Sequence, residues 1–274
     1  MRWKVSPTEK PIQRSTLRKQ LGKEYFCLKR WWKWQKQKQG FAAQQSEELL
    51  PNVVFEHQST ILRKLKNVDM WLQHNKATNL KLAISALNGL IIEPKQTFSL
   101  WYLVGKPTAK RGFLPGMVLE NGQVKTGIGG GLCQLGNLLF WMVLHSPLEI
   151  TERWRHSYDV FPDVNRKVPF GCGATLSYNY IDFQFINPTD QAFQLSLWLT
   201  EELLKGELRS ELPPLYSYEV YEAEHQIQGE IWGGHTRHNL IHRRKFDVKQ
   251  GELLLDEPIL QNHAVMMYNP FLPQ

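Results

Sequence analysis

The sequence predicts an α+β protein in which helices come first and a mostly antiparallel β-sheet surrounds and follows one central helix. Helical spacing of apolar residues recurs between residues 57 and 92 and again after Cys133, whereas apolar and polar residues alternate beyond Pro147. Helices followed by a run of strands are typical of the α+β class. With 274 residues, of which 42% are hydrophobic, the chain can bury a substantial core.

The first 40 residues form a basic leader that differs from the rest of the chain. They hold 12 Lys and Arg against 2 Asp and Glu, a net charge of +10, whereas the remaining residues carry −3. Trp31, Trp32 and Trp34 lie among the basic residues, and this mixture suits the surface of an anionic membrane. The alternatives are a solvated helix or arm that packs a few aromatic rings on the body, and a nucleic-acid contact, which we do not expect. We predict a leader over residues 1–45 and one domain over residues 46–274.

No feature of the sequence predicts export or a membrane span. The N-terminus has no apolar stretch after its basic residues, and the nearest apolar segment, Leu132–Leu144, is shorter than the roughly 18–20 residues that span a bilayer. Cys27, Cys133 and Cys172 are too few and too scattered for a disulfide framework. The expected location is therefore the cytoplasm, with the leader at the inner face of the membrane.

The predicted elements follow from periodicity and from turn residues. Residues 57–92 predict two helices, with a break near Asn75–Asn79 and with Thr78 or Asn79 as the cap of the second. Thr97–Trp101 predicts a short strand, and Asn121-Gly122 is typical of a type I′ hairpin turn. After the central helix, strands are predicted at Ile150–Phe161, Ala174–Tyr180, Asp182–Ile186, Phe193–Leu199, Ser217–Ala223, His238–Val248 and Ala264–Tyr268.

The central helix is preceded by a glycine run that leads to a cysteine. Four of the five residues Gly127–Gly131 are glycines, which leave room for a close approach of the backbone. The start of the following helix places free N–H groups and the positive end of the helix dipole at Cys133. A thiol in such a place tends to have a lowered pKa, and this predicts a nucleophile. The alternatives are an inert core cysteine, a metal ligand or a redox sensor.

The glycine run does not predict nucleotide binding, and we expect no cofactor. No Gly-Lys-Ser/Thr follows it, and the Rossmann spacing needs a glycine where Leu132 stands. His235, His238 and His242 could be read as metal ligands, but the preceding glycine pair favours a hairpin, and no nearby residue completes a ligand set. We therefore predict no metal site.

A nucleophilic cysteine needs a base, and His156 is the candidate. It lies on the strand-like segment after the central helix, and a strand running back beside the helix start could bring its ring to Cys133. Arg153 or Arg155 could hold a substrate carboxylate through two parallel hydrogen bonds. The alternative for His156 is a structural or surface histidine. The residues that could orient the base are Asp159, Asp163 and Asp182.

Several short blocks occur in a fixed order along the chain. They are Phe98-Ser99-Leu100-Trp101, Val104-Gly105, Gly129-Gly130-Gly131-Leu132-Cys133-Gln134, Glu152-Arg153 with His156-Ser157, Gly171 to Thr175, Asp182-Phe183-Gln184-Phe185, and Asn187. The order and content of these blocks resemble the pattern of the VanW family, over about residues 75–270. The Gly-Gly-Gly-x-Cys-Gln block with the downstream His-Ser pair is the specific part of that pattern.

The resemblance implies a role in cell-wall or glycopeptide-resistance biology. Exported members with this core are implicated in peptidoglycan cross-linking as L,D-transpeptidases, and the cysteine of the glycine block is their proposed nucleophile. Carried over by position, Cys133 would attack a stem-peptide carbonyl and form a thioester, while His156 would take the thiol proton. The residues implied in the oxyanion and substrate loop are Gly129, Gly130, Gly131 and Gln134. Those implied in substrate binding or in orienting the base are Ser157, Arg153 and Asp182.

Two positions depart from the family pattern. Gly136 stands where many members have serine, and Gly173 stands where many have aspartate. If that aspartate orients the base or binds substrate, its absence weakens activity here. Two hypotheses therefore remain: a cysteine-dependent acyl transferase acting on peptidoglycan peptides or their precursors, and a non-catalytic accessory or binding protein at the cytoplasmic face of the membrane.

Overall fold

The computed structural model describes residues 15–63, 69–120, 122–162 and 167–271, and it confirms the α+β prediction. The helices are α1 (Thr16–Lys36), α2 (Met70–Ser85), α3 (Leu100–Val104) and α4 (Cys133–Leu144). The strands of the first half are β1 (Asn52–Thr60), β2 (Ile91–Ile92), β3 (Thr97–Ser99), β4 (Pro115–Glu120) and β5 (Gln123–Ile128). Those of the second half are β6 (Glu149–Glu152), β7 (Tyr158–Asp159), β8 (Gln184–Ile186), β9 (Phe193–Leu199), β10 (Leu203–Ser210), β11 (Tyr216–Gly229), β12 (His235–Asp247) and β13 (Leu253–Met266).

The strands form four small sheets whose pairing is almost entirely antiparallel. Their strand orders are β1-β10-β9-β2, β11-β12-β13-β7, β3-β8-β6 and β4-β5. The pairing of β13 with β7 is the parallel exception among the described strands. The hairpin predicted at Asn121-Gly122 is confirmed by the pairing of β4 with β5, with Gly122 at a φ of +75°, although Asn121 itself lies outside the described residues.

Helix α4 lies at the centre of the hydrophobic core, as its sequence predicts. A helix that is apolar on every side is stable when protein surrounds it on every side, and Leu135, Gly136 and the residues from 138 to 144 are all buried. The helix packs against β1 and β10. At Gly206 of β10, an added Cβ would lie 2.8 Å from Leu138 Cδ2, so this glycine lets the helix approach the sheet closely.

The leader forms helix α1, which is docked on the body. Ser15 caps its N-terminus by accepting a hydrogen bond from the backbone N–H of Arg18. Arg30 donates two hydrogen bonds of 2.7 Å to the Glu152 carboxylate, and Trp34 is buried against the edge of the Tyr102 ring. Within the described residues, none of the helices has both the length and the apolar character that a bilayer crossing requires.

Two sequence predictions about the first half are wrong. Residues 57–60, where the first predicted helix begins, belong instead to strand β1, because this segment pairs with β10 along its whole length. Helix α2 then runs through Asn75–Asn79 without the predicted break, so neither Thr78 nor Asn79 caps a helix. The segment 64–68, also part of the predicted first helix, lies outside the described residues. Thr97–Trp101 is a strand only as far as Ser99, whose hydroxyl caps α3.

The predicted strands of the second half are confirmed in part. Phe193–Leu199 has the predicted bounds, and the segments predicted from 217 to 268 lie within or overlap the longer strands β11, β12 and β13. Ile150–Phe161 contains only the short strands β6 and β7, and Ala174–Tyr180 is irregular apart from one bridge at Ser177. Strand β10 was not predicted, because its glycine and charged residues obscure the alternation of its buried positions.

Candidate functional site

Cys133 is the first residue of α4, at the position that the glycine-cysteine motif predicts. Its thiol donates a long hydrogen bond of 3.9 Å to the carbonyl oxygen of Leu176. The residue is partly exposed, but protein surrounds its sulfur, and this burial raises the pKa of the thiol above its ordinary value. The expected lowering of the pKa is therefore not found, because desolvation outweighs the helix start and the Leu176 hydrogen bond.

The glycine loop before Cys133 has a shape that other residues would not permit. Gly129 and Gly131 have φ values of +74° and +91°, in the region that favours glycine. A Cβ on Gly130 would lie 2.1 Å from the carbonyl carbon of Gly116, so the two glycine backbones are in direct contact. The loop is thus held tightly against the start of β4.

Asn79 holds the glycine loop from the side of α2. Its amide nitrogen donates to the carbonyl oxygens of Gly130, at 2.9 Å, and of Leu114, at 3.0 Å. Its amide oxygen accepts from the backbone N–H of Leu114 at 2.8 Å. The side chain is fully buried. The sequence suggested Asn79 only as a helix cap, and its role in holding the loop was missed, although a polar amide on the apolar face of a helix is a signal for such a bonding role.

Three backbone N–H groups at the loop and helix start donate no hydrogen bond to any other described residue. The N–H of Gly130 donates to Gly127 and that of Gln134 donates to Gly131. The groups without such a partner are those of Gly131, Leu132 and Cys133. They are the donors that could hold an oxyanion. Of the residues that the family resemblance implies, Gly131 is among them, whereas the N–H groups of Gly129, Gly130 and Gln134 donate to backbone carbonyl oxygens.

Gln134 and Lys76 also border the loop, Gln134 at its end and Lys76 from helix α2. The Gln134 amide nitrogen donates to the Ser59 hydroxyl and to the Thr60 carbonyl oxygen, each at 2.9 Å, so its side chain fixes the end of β1. The methylene chain of Lys76 lies against Gly131. Burial, and after it the charge of Arg63, lowers the pKa of Lys76 to about 8.

The Arg153 guanidinium donates its hydrogen bonds within the protein and is not positioned to bind a substrate carboxylate through two parallel hydrogen bonds. Its Nε donates to the carbonyl oxygen of Gly173 at 2.9 Å, its Nη2 donates to that of Gly171, and its guanidinium lies over the Phe140 ring. Burial, and after it the charge of Arg155, lowers the pKa of Arg153 to about 10. Arg153 therefore fixes the segment from Gly171 to Gly173, which passes beside helix α4.

The segment 173–176 lies between the thiol and the chain that carries His156. Leu176 accepts the thiol hydrogen bond, and the N–H of Thr175 donates to the carbonyl oxygen of Trp154 at 2.8 Å. Asn137, one turn into α4, accepts from the N–H of Ala174 at 2.8 Å. A Cβ on residue 173 would lie 2.5 Å from that amide oxygen, which explains why glycine stands there in this chain.

His156 and Ser157 follow this segment. His156 is partly buried, and burial, followed by the charge of Arg155, lowers the pKa of its ring. Within the described ranges, no hydrogen bond joins the ring to Cys133. Ser157 is exposed, and its carbonyl oxygen accepts from Val265 of β13. The roles of His156 and Ser157 remain predictions.

The candidate orienting carboxylates have other partners. Asp182 is buried and accepts hydrogen bonds from the side chains of Ser99 and Gln184 and from the backbone of Trp101 and Phe183. Burial raises its pKa despite these bonds. Asp159 pairs with Arg237 at 3.3 Å and accepts from the Tyr268 hydroxyl. Asp163 lies outside the described residues. Asp182 therefore organises the start of α3.

The three histidines considered as metal ligands lie on strand β12, in the hairpin arrangement that the sequence favours. His238 contacts His263 and the Thr236 hydroxyl, whereas His242 lies 2.9 Å from an oxygen of Asp256. All three cysteines are free.

Comparisons with known proteins point to one family. Residues 75–209 match the family model described as VanW like protein. The chain is 34% identical over 222 residues to the Vancomycin B-type resistance protein VanW of Enterococcus faecalis, covering 81% of this chain and 80% of that protein. It is 32% identical over 117 residues to the Uncharacterized protein YoaR of Bacillus subtilis, covering 43% of this chain and 37% of that protein. No solved structure matches the chain. The identity and coverage of the enterococcal relative show that the chain belongs to the VanW family.

Proposed function

We propose that this VanW-family protein acts in vancomycin resistance as a cysteine-dependent acyl transferase on peptidoglycan peptides or their precursors. The observation that carries the proposal is the position of Cys133, which begins α4 directly after a constrained glycine loop, where three N–H groups donate to no other described residue. Further support comes from the enterococcal relative, whose name places it in vancomycin resistance. The enzyme class is that of a peptidyl transferase or hydrolase.

The proposed reaction has two steps. First, the Cys133 sulfur attacks a peptide carbonyl carbon while the thiol proton passes to His156, and the loop N–H groups hold the oxyanion. The amine leaves with the proton from His156, and a thioester remains on the sulfur. Second, an acceptor amine or water gives a proton to His156 and attacks the thioester. The acyl group leaves, and the proton returns to the sulfur.

The protonation states suit a base at His156 and a protonated thiol at rest. A lowered pKa leaves the imidazole neutral at pH 7, ready to accept a proton. A raised pKa keeps the Cys133 thiol protonated until a base takes the proton. We therefore expect a thiol that is slow toward small alkylating agents and reactive toward a bound peptide.

The test is to trap the thioester with a synthetic stem peptide and to locate the added mass by mass spectrometry. Wild type should carry the acyl group on Cys133, His156→Ala should lose at least about 10-fold in acylation rate, and Cys133→Ser should form no thioester. Cys172→Ser is the matched control because that thiol is buried elsewhere. Acylation that is absent in wild type, or that persists in Cys133→Ser, would overturn the proposal.

A second candidate function is binding at the cytoplasmic face of an anionic membrane, and the surface of α1 favours it. The helix is docked through Arg30, yet Phe26, Leu28, Trp31 and Trp32 stay exposed. A groove of about 530 Å³ runs along the helix, and it is lined by Phe26, Lys29, Arg30, Trp32, Lys33, Lys36, Gln37 and Tyr180. Exposed aromatic rings beside lysines suit an interface of headgroups and acyl chains.

Vesicle co-sedimentation tests this second function. The full chain should bind vesicles that contain anionic phospholipid and should bind neutral phosphatidylcholine vesicles much less. Replacing Lys29, Lys33 and Lys36 by Gln should weaken binding at least about 10-fold, since each lysine contributes about 1 kcal/mol. The control replaces Lys81, Lys110 and Lys249, which are exposed elsewhere, by Gln. Equal losses in the two triple variants would show that net charge matters and that α1 does not.

A further inference from the structure

Lys76 is a buried cation beside the glycine loop, and the reaction described above does not use it. Its side chain is 6% exposed, and its ammonium donates a hydrogen bond of 2.7 Å to the amide oxygen of Gln73, which is neutral and also buried. An ammonium group has three donors, and burying its charge without an anion is costly. The arrangement is therefore incomplete for a purely structural lysine.

The side chain of Lys76 borders the reactive end of the loop. A Cβ added to Gly131 would lie 2.3 Å from Lys76 Cγ and 2.7 Å from its Cδ, so the methylene chain lies directly on this glycine. Gly131 precedes Cys133 by two residues, and its N–H is one of the three that donate to no other described residue. A ligand group bound by Lys76 would thus lie near the carbonyl that Cys133 attacks.

The charged group facing Lys76 is another cation. Arg63, which follows the end of β1, lies close enough for its charge to act on Lys76. Among the described residues neither side chain forms an ion pair, and the sequence from 64 to 68 contains no acidic residue. Asp69 is exposed and accepts a hydrogen bond from Trp71. The positive charge at this place has no counter-ion from the described protein.

We propose that Lys76, together with Arg63, forms a subsite that binds the terminal carboxylate of the peptide substrate beside the glycine loop. A carboxylate would supply the missing anion and accept charge-assisted hydrogen bonds from both cations. In an unmodified peptide this group lies one residue from the last amide carbonyl. This proposal rests on the proposed function of the Cys133 site, and it specifies that the site recognises the carboxyl end of the peptide substrate.

The experiment compares two synthetic stem tetrapeptides, one with a free terminal carboxylate and one with a terminal amide, by isothermal titration calorimetry. Wild type should bind the free acid at least 10-fold more tightly than the amide, because removing the charge of one partner weakens a charge-assisted bond. Lys76→Met should bind both peptides about equally, whereas Lys76→Arg should keep the preference. Arg63→Gln should reduce it by a smaller factor.

Lys81→Met is the matched control, since Lys81 is exposed on the same helix. A wild type without preference for the free acid, or a Lys76→Met variant with the wild-type preference, would overturn the subsite. A preference that depends on Lys76 without thioester formation would support the subsite and contradict acyl transfer. Thioester formation without this preference would support acyl transfer and contradict the subsite. The two proposals can therefore fail separately.

Discussion

The side chain of Asn79 donates a hydrogen bond of 2.9 Å to the carbonyl oxygen of Gly130, and this bond joins helix α2 to the loop that ends at Cys133. With its two bonds to Leu114, the same amide holds three segments together in the core. We expect Asn79→Ala to lower the free energy of unfolding by about 2–4 kcal/mol, because it leaves buried backbone groups unpaired.

Urea unfolding measures this effect, with Asn75→Ala as its control. Asn75 lies on the same helix and donates one hydrogen bond, to the carbonyl oxygen of Pro115. Losing this one hydrogen bond in Asn75→Ala should lower the free energy of unfolding by about 1 kcal/mol. A loss for Asn79→Ala no larger than that for Asn75→Ala would contradict the central role of this amide.

Gly130→Ala should disrupt the loop even though alanine is the smallest change. The added methyl would lie 2.1 Å from the carbonyl carbon of Gly116, so one of the two backbones must move. We expect a loss of about 2–3 kcal/mol in the free energy of unfolding. Gly22→Ala is the control: Gly22 lies in helix α1 with no atom within 4 Å of the added Cβ, and alanine there should gain up to about 1 kcal/mol. Thermal and urea unfolding of both variants distinguish these outcomes.

Arg30→Met should release helix α1 from the body. The change removes two 2.7 Å bonds to Glu152 and leaves that partly buried carboxylate without its cation. We expect the free energy of unfolding to fall by about 2–3 kcal/mol and proteolysis within α1 to become faster. The control Lys29→Met changes an exposed neighbour and should leave proteolysis unchanged. Equal cleavage rates in the two variants would show that other contacts, such as Trp34, hold the helix.

The ion pair between Arg30 and Glu152 also predicts that the free energy of unfolding depends on pH in the acid range. Burial raises the pKa of Glu152, but the hydrogen bonds and charge of Arg30 outweigh it and hold the pKa below its ordinary value of 4.5. A carboxyl whose pKa is lower in the folded state contributes stability that is present above the unfolded value and is lost as the pH falls through the folded value. Wild type should therefore lose stability below about pH 4.5 more steeply than Arg30→Met in urea unfolding at a series of pH values.

Lys76 predicts a second pH dependence, in the alkaline range. Burial and the charge of Arg63 lower its pKa from 10.5 to about 8, so between these values the unfolded chain binds more protons than the folded one. The free energy of unfolding should rise with pH across this window by at most about 3 kcal/mol. Lys76→Met should remove this rise and be more stable than wild type at pH 7, whereas Lys81→Met should keep it. Urea unfolding from pH 7 to pH 10.5 tests the difference.

Much of the local structure could be predicted because it depends on neighbours in sequence. Helix α4 is apolar on every side and begins after a glycine run, so its bounds and its burial follow from the residues themselves. The β4-β5 hairpin follows from its Asn-Gly turn, and strand β9 follows from its alternating apolar residues. The family could also be recognised, since its short blocks occur in a fixed order along the chain.

Tertiary contacts decided what the local pattern left open. Residues 57–60 fall within the segment whose apolar spacing predicts a helix, yet pairing with β10, some 150 residues away, makes them part of a strand. Asn79 does not break α2, because Gly130 and Leu114 satisfy its amide inside the core. Asp182 supports the start of α3, because the Ser99 hydroxyl and the Trp101 N–H donate hydrogen bonds to its carboxylate in the fold.

The properties of the Cys133 thiol likewise depend partly on the local sequence and partly on tertiary contacts. The sequence by itself determined that a cysteine begins a helix after a glycine loop, since this arrangement is local. The direction of its pKa shift was decided by the burial of the sulfur in the folded chain, which raises the pKa more than the hydrogen bond to Leu176 lowers it. Lys76 came to the loop only through the packing of α2. Desolvation and charge act through space, so residues distant in the chain set the electrostatics of a site whose position is encoded locally.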